Sequence, residues 1–305
     1  MIFEVTILGS NGAVPAYDRH PSAQIVNHNG NIFLVDCGET TQFQMNRYGI
    51  KRGKLDHIFI SHLHGDHYFG LIGLITSFSL HWRENPLHIY APAGLEDIIN
   101  VQLKYSNTEL RFDIYFHALN ADAPRIIYED EQLTVETIIL KHRLPTTGFL
   151  FKEKKHLRHI IPEKIAQHDV PHHQISDIKK GADYQHPDGR TIPNVELTRE
   201  PSPARSYAYC SDTAYTTTIA EQLQGVNLLY HEATFMEGDA TRAEETFHST
   251  CKQAAQMARL ANAGRLLIGH FSARYSDLSV LLEESRSVFP NTFLAEEGKI
   301  FNVGS

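Results

Sequence analysis

The chain has 305 residues, 42% hydrophobic and 21% charged, with 19 Gly and 13 Pro, a globular composition that excludes collagen-like, low-complexity and disordered architectures. Its formal charge of −8 argues against a surface that grips nucleic acid throughout but leaves room for a local basic patch. The longest apolar stretch, Leu71–Leu80, is too short for a bilayer, which takes about 18–20 apolar residues, so no membrane association is expected.

In chain order, Phe3–Leu8 alternates and predicts a strand; the opening MIFEVTILGS has no basic n-region, so a secretory signal is not expected. Ala23–Val26 and Ile32–Asp36 flank Asn29-Gly30, the signature of a hairpin. A helix is predicted over Thr41–Tyr48, ended by Gly49, then a strand at His57–Ile60 and a buried helix within Tyr68–Leu80, with Phe69–Leu80 read as core. Leu87–Ala91 and Leu133–Leu140 predict strands on either side of a helix at Leu95–Tyr105. Between Lys152 and Arg205 the periodicity weakens and prolines accumulate, which predicts an insertion (residues 152–205) on a single domain spanning 1–305. Alternation then resumes with a strand at Tyr207–Cys210, a helix at Thr217–Leu223 and a strand at Val226–Tyr230. It continues with a helix at Thr250–Ala261, a strand at Leu266–Gly269, a helix at Leu278–Val288 and terminal strands within Phe293–Val303. The class is layered α/β. Three cysteines, Cys37, Cys210 and Cys251, share no CxxC spacing, so a thiolate zinc site or disulfide framework is not expected and a cytoplasmic location is.

One run carries chemistry: Ser61-His62-Leu63-His64-Gly65-Asp66-His67 puts three imidazoles and a carboxylate within six residues. In extended chain a spacing of two puts His62 and His64 on one side, and Gly65 lets Asp66 and His67 turn toward a second point. Neutral imidazoles with a carboxylate suit zinc and other first-row divalent ions. The remaining ligands are expected just beyond strand ends, at His142, Asp212 and His270, because such residues converge on one rim of an α/β layer. His62, His64 and His142 would surround one ion and Asp66, His67 and His270 another, with Asp212 bridging, a set suited to two-metal hydrolysis. Taken singly, His142 and His270 also read as structural histidines, and Asp212 as a helix N-cap. His57, His81, His88, His117 and the histidines of the insertion receive no role.

The His62-x-His64-x-Asp66-His67 run resembles the signature of the metallo-β-lactamase superfamily. Together with His142-Arg143-Leu144-Pro145, His231-Glu232-Ala233-Thr234, His248-Ser249-Thr250 and Gly269-His270-Phe271-Ser272-Ala273-Arg274-Tyr275, it is similar to the short form of the ribonuclease Z family. The resemblance implies a four-layer αβ/βα sandwich, two Zn2+ per subunit (Mn2+ or Fe2+ being able to take the same ligands), precursor tRNA as substrate, and a homodimer. It implies hydrolysis that removes the 3′ trailer, leaving a 3′-hydroxyl on the tRNA and a 5′-phosphate on the trailer. Asp66 would be general base as well as ligand, His248 would give a proton to the departing 3′ oxygen, and Glu232 would orient His248; a buried structural pair would look the same. The insertion would be the tRNA exosite. Lys152–Lys180 carries a net charge of +3 against −11 for the rest, and Lys152, Lys154, Lys155 and Arg158, with Arg274, are candidate tRNA contacts. Two stretches depart from the family pattern. The P-x-K-x-R-N run reads Pro15-Ala16-Tyr17-Asp18-Arg19-His20, and the Gly-Pro motif of the arm reads Pro171-His172-His173. The competing readings are a hydrolase of a small phosphodiester, thioester or lactone, and a non-catalytic RNA-binding scaffold.

Overall fold

The computed structural model describes residues 2–304. They form two seven-stranded sheets. The first is ordered β18-β1-β2-β3-β4-β5-β6, from β1 (Phe3–Gly9), β2 (Ala23–His28), β3 (Asn31–Cys37), β4 (Leu55–Phe59), β5 (Leu87–Pro92), β6 (Ile114–Leu119) and β18 (Ile300–Asn302). The second is ordered β17-β16-β15-β14-β9-β8-β7, from β7 (Ile126–Glu129), β8 (Leu133–Leu140), β9 (Thr146–Glu153), β14 (Ser206–Cys210), β15 (Leu228–Glu232), β16 (Arg265–Gly269) and β17 (Thr292–Leu294). The hairpin between β2 and β3 turns through Asn29 (φ 52°) and Gly30 (φ 93°), the left-handed pair that a two-residue turn requires.

Three apolar layers separate four structural ones. Helices α1 (Thr41–Arg47), α2 (Leu71–Leu80) and α3 (Leu95–Tyr105) lay Met45, Leu74, Ile75 and Ile99 on Ile25, Leu34, Ile58 and Ile89 of the first sheet. Helices α8 (Cys251–Leu260) and α9 (Ser279–Arg286) lay Ala254, Ala258 and Leu281 on Leu229, Leu266 and Ile268 of the second. Between the sheets lie buried aromatics, among them Phe33, Phe59, Phe149, Phe151, Tyr207 and Tyr209. This is the αβ/βα sandwich expected from the sequence. All strands of the run β14, β15, β16 and β17 are parallel, as are β3 to β6, so their carboxyl ends share one rim of each sheet.

Residues 152–205, with the short segment 129–134, form a compact unit of their own. It contains β10 (His159–Ile160), β11 (Tyr184–Gln185), β12 (Thr191–Ile192), β13 (Thr198–Arg199) and the short helices α4 (Pro162–Gln167), α5 (Ile175–Lys179) and α6 (Asn194–Leu197). Its small core is Val170, Ile178, Tyr184, Ile192 and Leu197.

Several elements differ from expectation. The helix predicted at Thr217–Leu223 is one 3-10 turn, Thr217–Ile219, capped by Thr216, followed by turns that carry Leu223 into the same core as Ile219. Phe69 and Leu80, read as core, are 60% and 77% exposed at the two ends of the α2 segment; Leu71, Leu74, Ile75 and Phe78 carry its burial. The last two strands belong to different sheets, separated by a turn at Gly298 (φ 81°). The helix α7 (Ala240–Thr246) and the strands β6, β7 and β9 were not anticipated.

Candidate metal centre and active site

The run after β4 stays extended through His64 (φ −76°, ψ 143°), then Gly65–His67 forms a 3-10 turn. Gly65 has no room for a Cβ, which would lie 2.1 Å from the Phe69 ring. His142 follows β8, Asp212 follows β14 and His270 follows β16, so the predicted seven ligands meet at the shared rim. His62 Nε2 lies 2.9 Å from His64 Nδ1, and His142 Nε2 lies 3.3 Å from the same His64 atom. On the other side Asp66 Oδ2 lies 3.4 Å from His67 Nε2 and 3.5 Å from His270 Nε2. Asp212 faces both groups with different oxygens. Its Oδ2 is 3.5 Å from His62 and 3.8 Å from His142, while Oδ1 is 3.4 Å from His67 and 3.1 Å from His270.

The outer ring nitrogens decide which way the lone pairs point. Ser61 Oγ donates to Asp36 Oδ2 (2.9 Å) and so accepts from His62 Nδ1 (3.0 Å). His67 Nδ1 donates to Asp36 Oδ2 (2.7 Å), and His142 Nδ1 to the Phe247 carbonyl (2.8 Å). Thr234 Oγ1 donates to Glu232 Oε2 (2.7 Å) and therefore accepts from His270 Nδ1 (2.9 Å). Each of these four rings thus turns an unprotonated nitrogen inward, where His67 Nε2 and His270 Nε2 are buried without a hydrogen bond. Lone pairs brought this close repel unless a cation lies among them, and the His/Asp donor set is that of a first-row divalent ion. The centre is a metal-binding one.

The electrostatics agree. Burial, then the neighbouring imidazoles, hold His62 well below its ordinary pKa, and burial lowers His64 and His142, which favours the neutral form of all three. At Asp212 burial would raise the carboxyl, but His270, His67 and His62 outweigh it and keep it charged. Asp66 is likewise held well below the carboxylate range, with His67 and His270 overcoming burial. His67 is raised despite burial because Asp66, Asp212 and Asp36 surround it. With the Nδ1 proton kept on Asp36, that position calls for positive charge at the inward Nε2, which a metal ion would supply.

Glu232, at the end of β15, is fully buried and fully satisfied. Oε1 accepts from Thr213 N (3.0 Å), Ser249 N (3.0 Å) and His248 Nδ1 (2.9 Å), and Oε2 accepts from Thr234 N (3.0 Å) and Thr234 Oγ1. Glu232 outweighs burial at His248 and raises its pKa to about 9, so His248 is an acid at neutral pH. Its ring stacks on His270 (5.4 Å between centroids) and its side chain is 16% exposed. It lines a cavity of about 440 Å3 with His64, Asp66, Gly12, Phe69 and Phe235. His231 of the same motif turns away, donating through Nδ1 to the Glu232 carbonyl.

Sequence reasoning missed Asp36, Thr234 and Ala13. Asp36, the penultimate residue of β3, adopts a left-handed conformation (φ 56°) and accepts from Ser61 N (2.7 Å), Ser61 Oγ, His67 Nδ1 and Tyr209 OH (2.6 Å). The signal was present: it too is a carboxylate at the end of a predicted strand. Ala13 N donates to Asp66 Oδ2 at 2.7 Å, a backbone contact that no side-chain pattern encodes. Of the expected tRNA contacts, Lys154 pairs with Glu129 (2.6 Å), and Arg158 pairs with Glu200 and donates to Thr198 Oγ1 (2.6 Å). Lys152 and Lys155 are exposed. Arg274 pairs with Asp239 (3.2 Å) and lies 5.3 Å from the Phe235 ring centre.

Known proteins are similar to this chain over its whole length. The family model of anti-Pycsar protein Apyc1 matches residues 3–159, and that of the beta-lactamase superfamily domain matches residues 169–271. Ribonuclease Z of Bacteroides thetaiotaomicron is 46% identical over 303 residues, covering 99% of this chain and 96% of its own. Ribonuclease Z of Bacteroides fragilis is 48% identical over 295 residues, covering 97% of each. The crystal structure of the short form of human tRNase Z superposes with a TM-score of 0.73 at 28% identity, covering 99% of this chain and 100% of that one. With the ligand rim, the Glu232–His248 pair and these full-length relatives in hand, the chain belongs to the ribonuclease Z family of the metallo-β-lactamase superfamily.

Proposed function

We propose that this protein is a dizinc endoribonuclease that removes the 3′ trailer from precursor tRNA, leaving a 3′-hydroxyl on the tRNA and a 5′-phosphate on the trailer. The observation that carries the reading is Asp212, whose two oxygens address two separate sets of imidazoles. His62, His64 and His142 would hold one ion, Asp66, His67 and His270 the other, and Asp212 both; zinc suits the donors, and Mn2+ or Fe2+ can replace it. Divalent ions bound there supply charge to the attacked phosphate and acidify a water molecule. Asp66 orients the attacking water and takes its proton. His248, protonated through Nε2 and held through Nδ1 by Glu232, gives a proton to the departing 3′ oxygen, a contribution of about 10²–10⁴-fold.

The inserted unit of residues 152–205 is the tRNA exosite in this reading, supported by the net charge of +3 between Lys152 and Lys180. Of the candidate contacts, Lys152 and Lys155 are exposed; Lys154 and Arg158 serve mainly to hold the unit together, since both are engaged by carboxylates. Binding through such cations weakens steeply with salt. A second copy of the chain is expected to cover exposed apolar side chains on the outer helical layer, such as Phe43, Trp82 and Tyr105. The three free, buried thiols support a reducing, cytoplasmic location; no helix among the described residues is long and apolar enough to cross a membrane.

Deleting residues 152–180 tests the substrate assignment. Cleavage of precursor tRNA should be abolished while hydrolysis of bis-p-nitrophenyl phosphate survives. Equal loss on both substrates in a folded, metal-loaded protein, or unchanged tRNA cleavage, would refute the exosite; an intact protein that hydrolyses bis-p-nitrophenyl phosphate and leaves precursor tRNA uncut would favour a small-substrate hydrolase.

A further inference from the structure

The loop of residues 10–20 passes over the metal rim, and its conformation is costly. Ala13, Tyr17 and Asp18 all adopt positive φ (63°, 54° and 56°), a region that residues other than glycine seldom occupy. Strain of this kind persists only where the surroundings over-determine it. Here they do so from two sides. Arg19 Nη2 donates to the Tyr275 carbonyl (2.6 Å) and its Nε to Asn11 Oδ1 (3.0 Å), while Gly12 N donates to the Phe271 carbonyl (2.9 Å). On the other side stands Glu297, from the turn between β17 and β18. Its Oε1 accepts from His20 N (2.6 Å) and Ser10 N (3.2 Å); its Oε2 accepts from His20 Nδ1 (2.6 Å) and Gln44 Nε2 (2.8 Å). One carboxylate thus clamps both ends of the loop, at Ser10 and at His20. The carboxylate is itself fixed, since its neighbour Gly298 donates from N to the Ile7 carbonyl (2.8 Å). The product of the clamp is the bond from Ala13 N to Asp66 Oδ2, with Gly12 packed so closely on His270 that a Cβ would lie 2.6 Å from its Cε1.

We propose that Glu297 is a positioning residue for Asp66: by holding both ends of the 10–20 loop it keeps the Ala13 N–H on Oδ2 and so fixes the orientation of the carboxylate. This rests on the role given to Asp66 above, and it assigns work at the centre to a residue 231 positions away in sequence, which makes no contact with the metal ligands themselves.

Hydrogen exchange at the Ala13 amide of the metal-loaded protein, followed by NMR, reads the clamp directly. In Glu297→Ala its protection should fall at least about tenfold while amides of β2 and β16 keep theirs; kcat for bis-p-nitrophenyl phosphate and for precursor tRNA should both fall about tenfold, with KM for tRNA changed less than about twofold. Glu297→Gln, whose single amide oxygen still accepts from His20 N and Ser10 N, should recover part of both losses. A purely structural role predicts loss of protection across the sheet with kcat per folded, metal-loaded molecule unchanged, and that result overturns the proposal, as does an Ala13 amide equally protected in wild type and variant. If Glu297→Ala does not fold, His20→Ala, which removes only the ring's contact with Oε2 and leaves that of Gln44, must lower Ala13 protection and kcat together; if either is unaltered the proposal fails. A wild-type protein that leaves precursor tRNA uncut would defeat the functional reading, whereas the Ala13 measurement would still stand on its own.

Discussion

Asp36→Asn is the most informative substitution outside the ligands. Asparagine has the same shape and tolerates the left-handed backbone at this position (φ 56°), so the fold should survive. The chemistry does not. Oδ1 can still accept from Ser61 N, which obliges the new amide nitrogen to take the place of Oδ2. That atom now meets Ser61 Oγ, Tyr209 OH and His67 Nδ1, all of which donate in the native protein. The two hydroxyls can rotate and accept, but His67 can accept through Nδ1 only by moving its proton to Nε2. Nε2 is the atom aimed at Asp66 and Asp212, 3.4 Å from each. A proton there removes a metal-ligating lone pair. Losing an outer-shell partner of this kind costs about 10–100-fold in metal affinity, or roughly 1.4–2.8 kcal/mol. The assay is competition for zinc against a chelator of known affinity, with thermal unfolding of the metal-free forms as control. One of the two ions should be lost at chelator concentrations where wild type keeps both. Wild-type affinity at both positions would refute the argument that Asp36 sets the His67 tautomer.

His248→Ala should lower kcat by about 10²–10⁴-fold with metal content unchanged, measured by elemental analysis beside single-turnover cleavage; an unaltered kcat removes His248 from the reaction. Glu232→Gln should move the alkaline limb of the kcat profile to lower pH. Glu232 raises His248 to about 9; without that charge the imidazole loses its proton earlier as pH rises, so a limb that stays in place or moves up contradicts the pairing. Gly12→Ala should weaken the centre, because the added methyl would press on His270 at 2.6 Å; equal zinc affinity and kcat would show that the loop yields. Reversing Lys152 and Lys155 to Glu should raise KM for tRNA and flatten its salt dependence, while bis-p-nitrophenyl phosphate hydrolysis is unchanged.

The clustering of the candidate ligands was legible because their residue types are chemically unusual and because parallel strands bring the residues just past their carboxyl ends to one rim. His142, Asp212 and His270 each lie one or two residues past a strand recognised from its apolar run. The supporting shell was harder to see. Thr234 and Asp36 are ordinary residues whose importance lies in which partner each faces, a relation fixed by tertiary packing. Ala13 acts through its backbone. Among the elements, β9 (TTGFLFKE) is buried on both faces and so shows no alternation, while β6 and β7 are edge strands with half-exposed side chains. The 3-10 turn at Thr217–Ile219 looked helical because β-branched and apolar residues there mimic a short amphipathic run. The inserted unit builds its core from only a few residues spread over short elements, too few to impose a period.

Incubating the zinc-loaded protein with a tRNA that carries a defined 3′ trailer, then mapping both new ends, tests the central claim most directly. A single cut at the base of the trailer, with a 3′-hydroxyl on the tRNA and a 5′-phosphate on the released fragment, is the expected result. Uncut RNA in the presence of bound zinc, or a cut that leaves a 3′-phosphate or cyclic phosphate, would contradict it.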